Sequence, residues 1–267
     1  MSVAPTAQLA DLSLPTTPAT TREPKYGDPD CEQLFFSRLA ATGYRPGVVL
    51  DIGGSTGCWS AAINPIFPEA RYEIFEPLAG RTGDYDEKLR ANLDTHSNFR
   101  LHAVALSERP GIADFWLQPS GLGSSLLFES MPYGSKIQVP CETLDAYIEQ
   151  HQIPQPQIIK ADVQAGELKV IRGGAKAFAN ADVVLLETWF RRYYGPENPL
   201  LPELMEVLGQ MGFYMVQLGD YWRDETHEIG SVDAFWMHKR LIKSLKRQNA
   251  AFPWPVCWAS EHRVPPL

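Results

Sequence analysis

The stretch Val48-Val49-Leu50-Asp51-Ile52-Gly53-Gly54-Ser55-Thr56-Gly57 constrains this chain more than any other. Its apolar, β-branched start reads as a strand buried on both faces, the habit of strands inside a parallel sheet. The strand runs into a glycine turn, where backbone can approach a ligand closely, and then into a helix over Trp59 to Ile63. The spacing from Gly53 to Gly57 does not fit G-x-G-x-x-G, and no Gly-Lys-Ser/Thr follows, so dinucleotide and phosphate-loop readings both fall. What remains is an adenosine-type ligand that needs no phosphate site, with Asp51 facing a cation or polar hydrogens, or a tight turn that holds nothing.

Beyond this segment, short β-branched runs alternate with helical periods, as in parallel strands joined by helices. Strands are predicted over Val48 to Ile52, Tyr72 to Phe75, Leu101 to Leu106, Ile158 to Val163 and Ala181 to Glu187. Helices are predicted over Asp84 to Leu93, Thr143 to Gln150, Gly166 to Ile171 before Gly173-Gly174, and Pro202 to Gln210. Phe213 to Leu218 and Val232 to His238 close the pattern as a hairpin around a polar segment. A length of 267 residues suits one large domain, here residues 25–247, with additions. The Pro- and Thr-rich residues 1–24 read as a flexible tail, and residues 248–267, with four prolines and two tryptophans, as an extension strapped over the body.

A net charge of −8 argues against a nucleic-acid partner. No apolar run approaches the ~20 residues of a membrane helix, and the start lacks the basic-then-apolar order of a secretory signal, so no transmembrane segment and a cytoplasmic location are expected. The four cysteines are far apart without a CxxC pair, and His96, His102, His151, His238 and His262 share no metal-ligand spacing, so zinc and redox centres are not expected.

In an open sheet of this kind, ligands bind beyond the carboxyl ends of the strands. Asp51, Glu76, Asp162 and Glu187 each stand at or just past a strand end, which directs four carboxylates toward one rim. Glu76, closing Tyr72-Glu73-Ile74-Phe75-Glu76-Pro77, takes the position where such folds grip ribose hydroxyls; otherwise it is an exposed turn acid. The small residues of His102 to Ser107 offer a flat wall for an adenine.

Together, Asp51 to Gly57, Phe75-Glu76-Pro77, and Ile159-Lys160-Ala161-Asp162-Val163-Gln164-Ala165-Gly166-Glu167 running to Arg172-Gly173 resemble the FkbM family of S-adenosylmethionine-dependent methyltransferases. Ala105-Leu106-Ser107, Val139 to Asp145 and Val232 to Trp236 extend the match. The family tends to carry glycine directly after the glutamine, whereas Gln164 is followed here by Ala165 and then Gly166. The resemblance implies an α/β, Rossmann-like class I methyltransferase fold: a mostly parallel seven-strand sheet with a C-terminal antiparallel hairpin. It also implies S-adenosyl-L-methionine as cofactor, with Asp51, Gly53, Gly54, Ser55 and Gly57 at its methionine end, Glu76 at the ribose, and Ala105 with Leu106 at the adenine.

A sulfonium methyl donor leaves as a neutral thioether, so catalysis lies mainly in aligning the acceptor and, for a hydroxyl, in removing its proton. Asp162 is the first candidate base, with Glu187 and His227 as its partners; the equal alternative is that Asp162 orders the Gln164 to Glu167 turn by accepting backbone N–H bonds. Acids at this rim could instead bind Mg²⁺, a reading we rank below direct base catalysis. Gly121-Leu122-Gly123-Ser124-Ser125 reads as a mobile rim loop whose hydroxyls meet a ligand, or as a linker. Trp189-Phe190-Arg191-Arg192-Tyr193-Tyr194 suits a sugar ring or anionic acceptor, or an interface such as that of a homodimer. The basic stretch Lys239 to Arg247 suits a membrane surface, an acidic partner or a solvated helix. The expected activity is O-methylation of a small-molecule acceptor, a saccharide or secondary metabolite. N-methylation and a non-catalytic sensor or scaffold stand as alternatives, the last suggested by Gln164-Ala165-Gly166.

Overall fold

The computed structural model describes residues 30–81, 83–118, 121–127 and 135–248. The tail read over residues 1–24 and the extension from 249 onward lie outside the described residues. In chain order the elements are α1 (Asp30–Ala41), β1 (Val48–Ile52), α2 (Cys58–Ile63), β2 (Arg71–Phe75), α3 (Gly83–Thr95), β3 (Phe99–His102), β4 (Ala105–Leu106), β5 (Gly111–Leu117) and β6 (Ser135–Glu142). There follow α4 (Leu144–His151), β7 (Ile158–Ala161), α5 (Glu167–Gly173), α6 (Ala175–Asn180), β8 (Val183–Trp189), α7 (Leu201–Gln210), β9 (Phe213–Arg223), β10 (Ile229–His238) and α8 (Lys239–Gln248).

Seven strands form one sheet in the order β3-β2-β1-β7-β8-β10-β9, parallel except for β10, which is antiparallel to both β8 and β9. The strand order reverses between β1 and β7, so their carboxyl ends open a crevice there. β1 is buried at every position, as its apolar sequence requires of a central strand. One face packs Leu50, Ile52, Ile159, Leu186 and Trp236 under α4 to α7; the other packs Val49, Ile74, Leu185 and Phe235 under α1, α2 and α8.

Two elements correct the sequence reading. Leu101 to Leu106 is not one strand: the chain turns after His102, where Val104 N donates to His102 O at 2.9 Å, and β4 joins a second, three-stranded sheet, β4-β6-β5. Lys239 to Arg247 lies in α8, which buries Leu241, Ile242 and Leu245 against the core rather than lying as a wholly solvated helix. The polar segment between the last two strands is mostly strand itself, and Asp224 closes the short turn by accepting from Thr226 N at 2.8 Å.

Candidate active site

At the crevice, a cavity of about 550 Å³ opens beyond the ends of β1, β2, β7 and β8, a volume that suits a small molecule with a cofactor. The glycine turn forms one wall. Gly53 has φ 73°, and a Cβ there would lie 1.9 Å from Asp162 O, so only glycine lets the two turns meet. Gly53 N and Gly54 N both donate to Phe75 O, while Gly54, Ser55 and Thr56 line the cavity. Gly57, also left-handed at φ 74°, starts α2 and is not part of the wall.

Glu76 is 4% exposed and lines the cavity. Its carboxylate accepts from Ser55 N and Leu78 N, each at 2.8 Å, which fixes its direction. Burial pushes its pKa up to about 7 despite these two amides and the Tyr85 hydroxyl. Ala105, Leu106, Phe75, Leu78 and Phe115 supply an apolar wall, part of it from the second sheet.

Asp51 does not reach the cavity. It is fully buried, accepts from Ser60 Oγ at 2.7 Å, and pairs with Lys160 Nζ at 3.1 Å. The cation it faces is therefore the chain's own. Lys160 lies between Asp51 and the cavity, donating to Gly53 O at 3.1 Å. Burial lowers the affinity of its ammonium for a proton, but Asp51 and Asp162 more than offset this and hold it charged.

Asp162 and Glu187, separate in sequence, meet at one amide. Gln164 Nε2 donates to Asp162 Oδ1 at 2.9 Å and to Glu187 Oε2 at 3.0 Å. All three residues line the cavity. Ser231 Oγ donates to Glu187 Oε1 at 3.0 Å. Burial, followed by the charges of Asp162, Glu167 and Asp233, raises the Glu187 carboxyl well above the carboxylate range. Ordering of the following turn falls to the buried Glu167, which accepts from Val163 N at 3.0 Å. Gln164 at φ 55° and Ala165 at φ 73° are both left-handed, so alanine occupies a conformation that glycine adopts freely.

His227 is corrected by its position. It sits exposed in the turn between β9 and β10 at φ 62°, outside the cavity wall, where Arg223 donates to its carbonyl. Arg191 and Arg192 are also taken: Arg191 pairs with Asp224 and Glu228, and Arg192 with both oxygens of Glu203, and neither lines the cavity. The serines of the rim loop face inward. Ser124 Oγ donates to Gly121 O, and Ser125 Oγ to Gln164 O at 2.6 Å.

Among the wall residues to which sequence reasoning gave no role are Glu32 on α1, Trp222 on β9 and Asp233 on β10. Trp222 stands edge-on to Tyr193, with ring centroids 5.2 Å apart, against Gly230, where a Cβ would lie 2.3 Å from the indole. The polar spacing of the final hairpin was the available signal for it. Among the described residues, no group of three His, Cys, Asp or Glu side chains is arranged to hold a metal ion.

A crevice at the strand-order reversal, an acid at the end of β2 and an antiparallel last pair define a class I, Rossmann-like methyltransferase fold. The Methyltransferase FkbM domain matches residues 51–215, and the chain belongs to that family. No curated protein sequence matches it. Among solved structures, it is similar to methyltransferase FkbM from Methylobacillus flagellatus KT, at 14% identity over 72% of this chain and 43% of that one, with a TM-score of 0.46. This chain thus spans less than half of that protein. It is also similar to precorrin-6y C5,15-methyltransferase from Geobacter metallireducens GS-15, at 15% identity over 76% and 87% of the chains and a TM-score of 0.41. A third is fibrillarin from Aeropyrum pernix, solved with natively bound S-adenosyl-L-methionine, at 11% identity over 76% and 74% and a TM-score of 0.41. Among the described residues, no helix is long and apolar enough to cross a membrane.

Proposed function

We propose that this protein methylates a hydroxyl of a small-molecule acceptor, a saccharide or secondary metabolite, using S-adenosyl-L-methionine. The observation that carries the reading is the Asp162–Gln164–Glu187 set on the wall of the cavity that also holds Glu76. The residues present fit the cofactor. Glu76 is a buried carboxylate aimed at the cavity by two backbone amides, the partner that ribose hydroxyls require. Gly53 to Ser55 allow close backbone approach, and Ala105 with Leu106 and Phe75 give an adenine an apolar surface. The wall carries six acids, Glu32, Glu76, Asp162, Glu187, Asp220 and Asp233, against Lys160 and Lys169. Burial raises Glu187 and Asp233 well above the carboxylate range and Glu32 and Glu76 to about 7, so the field turns in favour of a positively charged guest only as pH rises.

When bound, S-adenosylmethionine supplies a methyl group whose leaving thioether is neutral. The chain then has to orient the acceptor and take one proton. Asp162, whose side chain is 37% exposed, is the accessible member of the pair and accepts the hydroxyl proton. Trp222 offers an aromatic face to a sugar ring. The negative charge of the chain agrees with a small acceptor rather than a nucleic acid. The acid surplus also supports a second reading, N-methylation of an amine drawn in as a cation.

Incubation with methyl-labelled S-adenosylmethionine and a panel of sugars and hydroxylated metabolites, followed by location of the label by NMR, tests the proposal. We expect an O-methyl product and a fall of about 10²- to 10⁴-fold in Asp162→Asn, with S-adenosylhomocysteine affinity held. Label on nitrogen would establish the second reading; tight S-adenosylhomocysteine binding without turnover on any acceptor would point to a sensor or scaffold.

A further inference from the structure

The amide of Gln164 can meet Asp162 and Glu187 usefully in only one of its two orientations. With Nε2 toward them it donates to both, at 2.9 and 3.0 Å; turned over, its oxygen would oppose two acceptors, and one carboxyl would have to keep a proton to satisfy it. On the far side of the amide stands Tyr194, whose hydroxyl donates to Gln164 Oε1 at 2.5 Å. The same hydroxyl lies 3.5 Å from Gly123 O, so the amide is its nearer acceptor. Tyr194 is 6% exposed, does not line the cavity, and packs edge-on against the buried Trp189 at 5.2 Å and 71°. The Gln164 backbone is pinned separately, its carbonyl accepting from Ser125 Oγ, which in turn accepts from Leu127 N at 2.9 Å.

We propose that Tyr194 is a positioning residue: by donating to the Gln164 amide oxygen, it aims the amide hydrogens at Asp162 and Glu187 and favours the ionised form of the pair. A donor on the carbonyl side also polarises the amide and strengthens its N–H groups. The inference rests on the proposed function only in taking Asp162 as the base; the hydrogen-bond relay is independent of the acceptor. Other charges facing the pair are Lys160 on β7, with Nζ 3.8 Å from Asp162, Glu167 on α5, Asp233 on β10 and Glu32 on α1. All of these remain unchanged in the variants below.

The test is a pH titration of the pair by carboxyl ¹³C NMR in the full chain labelled at Asp and Glu, with Asp162→Asn and Glu187→Gln assigning the signals. Tyr194→Phe removes one hydroxyl and is expected to move the apparent titration of the pair upward by about half to one pH unit, the size of one net hydrogen bond. Gln164→Leu should move it at least as far, and adding Tyr194→Phe to Gln164→Leu should move it no further, because the tyrosine acts through the amide. 3-Fluorotyrosine at position 194, a stronger donor of nearly the same shape that adds no charge beside the pair, should instead move it downward and reads the same relay if Tyr194→Phe does not fold. S-adenosylhomocysteine titration calorimetry of Tyr194→Phe at pH 8 serves as the control, with affinity expected within threefold of wild type, since Tyr194 does not line the cavity. An unmoved titration in Tyr194→Phe or in the protein carrying 3-fluorotyrosine at position 194, or an equal shift with and without Gln164, overturns the proposal. None of these readouts requires methyl transfer, so an acceptor that proves to be an amine would change the proposed function and leave this result standing.

Discussion

Glu76 is caught between burial, which favours its neutral form, and a ribose, which binds best to its carboxylate. Because its pKa is raised to about 7, the acceptor form is lost as pH falls through neutrality. Affinity for S-adenosylhomocysteine, measured by calorimetry, should therefore drop by up to about tenfold per pH unit below 7, and Glu76→Gln should be weaker and flat over that range. Ala165 sets two terms of similar size against each other. Its left-handed φ of 73° costs an L-residue about 1–2 kcal/mol, while its methyl, buried among Leu127, Trp189 and Tyr194, contributes about 0.8 kcal/mol. Ala165→Gly should accordingly change the urea-unfolding free energy by about 1 kcal/mol or less. Asp162, Glu187 and Glu76 were legible as acids at strand ends, because strand boundaries follow from apolar runs. The bridge from Asp162 to Glu187 through the Gln164 amide was not, since it depends on two consecutive left-handed residues that no local pattern specifies. His227 illustrates the opposite failure: a residue of the right chemistry in a polar segment whose turn geometry carries it out to solvent.

Among the elements, α8 makes the clearest energetic statement. Lys239, Lys243, Lys246 and Arg247 face solvent and Arg240 binds Asp182, while Leu241, Ile242 and Leu245 pack with Phe35 of α1 on the face of the large sheet that carries Phe235. Ile242→Ala should cost about 2–5 kcal/mol, seen as a lower urea midpoint, and a cost under 0.5 kcal/mol would mean that the helix is not docked in solution. The central strands were legible because burial on both faces leaves a continuous β-branched signature. The second sheet was not. β6 has only Val139 and Cys141 fully buried and contains Pro140, a residue that argues against a strand with neighbours on both sides. The structure resolves the conflict: β4 pairs only with Cys141 and Glu142, so Pro140 lies where that edge of β6 is open. α1 was overlooked because it adjoins the proline-rich start of the chain, although Phe35, Phe36 and Leu39 follow a helical period.

At the scale of the whole molecule, the ligand-free protein carries several carboxyls whose proton affinity is raised by burial: Glu32 and Glu76 to about 7, Glu167 to about 8, and Glu187 in the same direction. The ordinary value for these groups is 4.5. Folding therefore takes up protons between that value and about 8, so their contribution to stability is complete below about pH 4.5 and is lost as pH rises through 7 to 8. The urea midpoint of the ligand-free chain should fall from pH 5 to pH 8. Acids with lowered values, Asp86, Glu197, Glu203 and Asp224, lose their contribution only in more acidic solution, outside this window.

The two sheets share no strand, yet both furnish walls of one hollow: Gly53, Ser55 and Glu76 stand at the ends of the larger, while Ala105, Leu106 and Phe115 belong to the smaller. A nucleoside lodged there acts as a clasp between two bodies otherwise joined by loops and side-chain packing. Amide hydrogen exchange along β5 and β6 should then slow when S-adenosylhomocysteine is added, although most of those amides never touch it. The molecule would close around its guest by firming a remote ribbon rather than by swinging a lid.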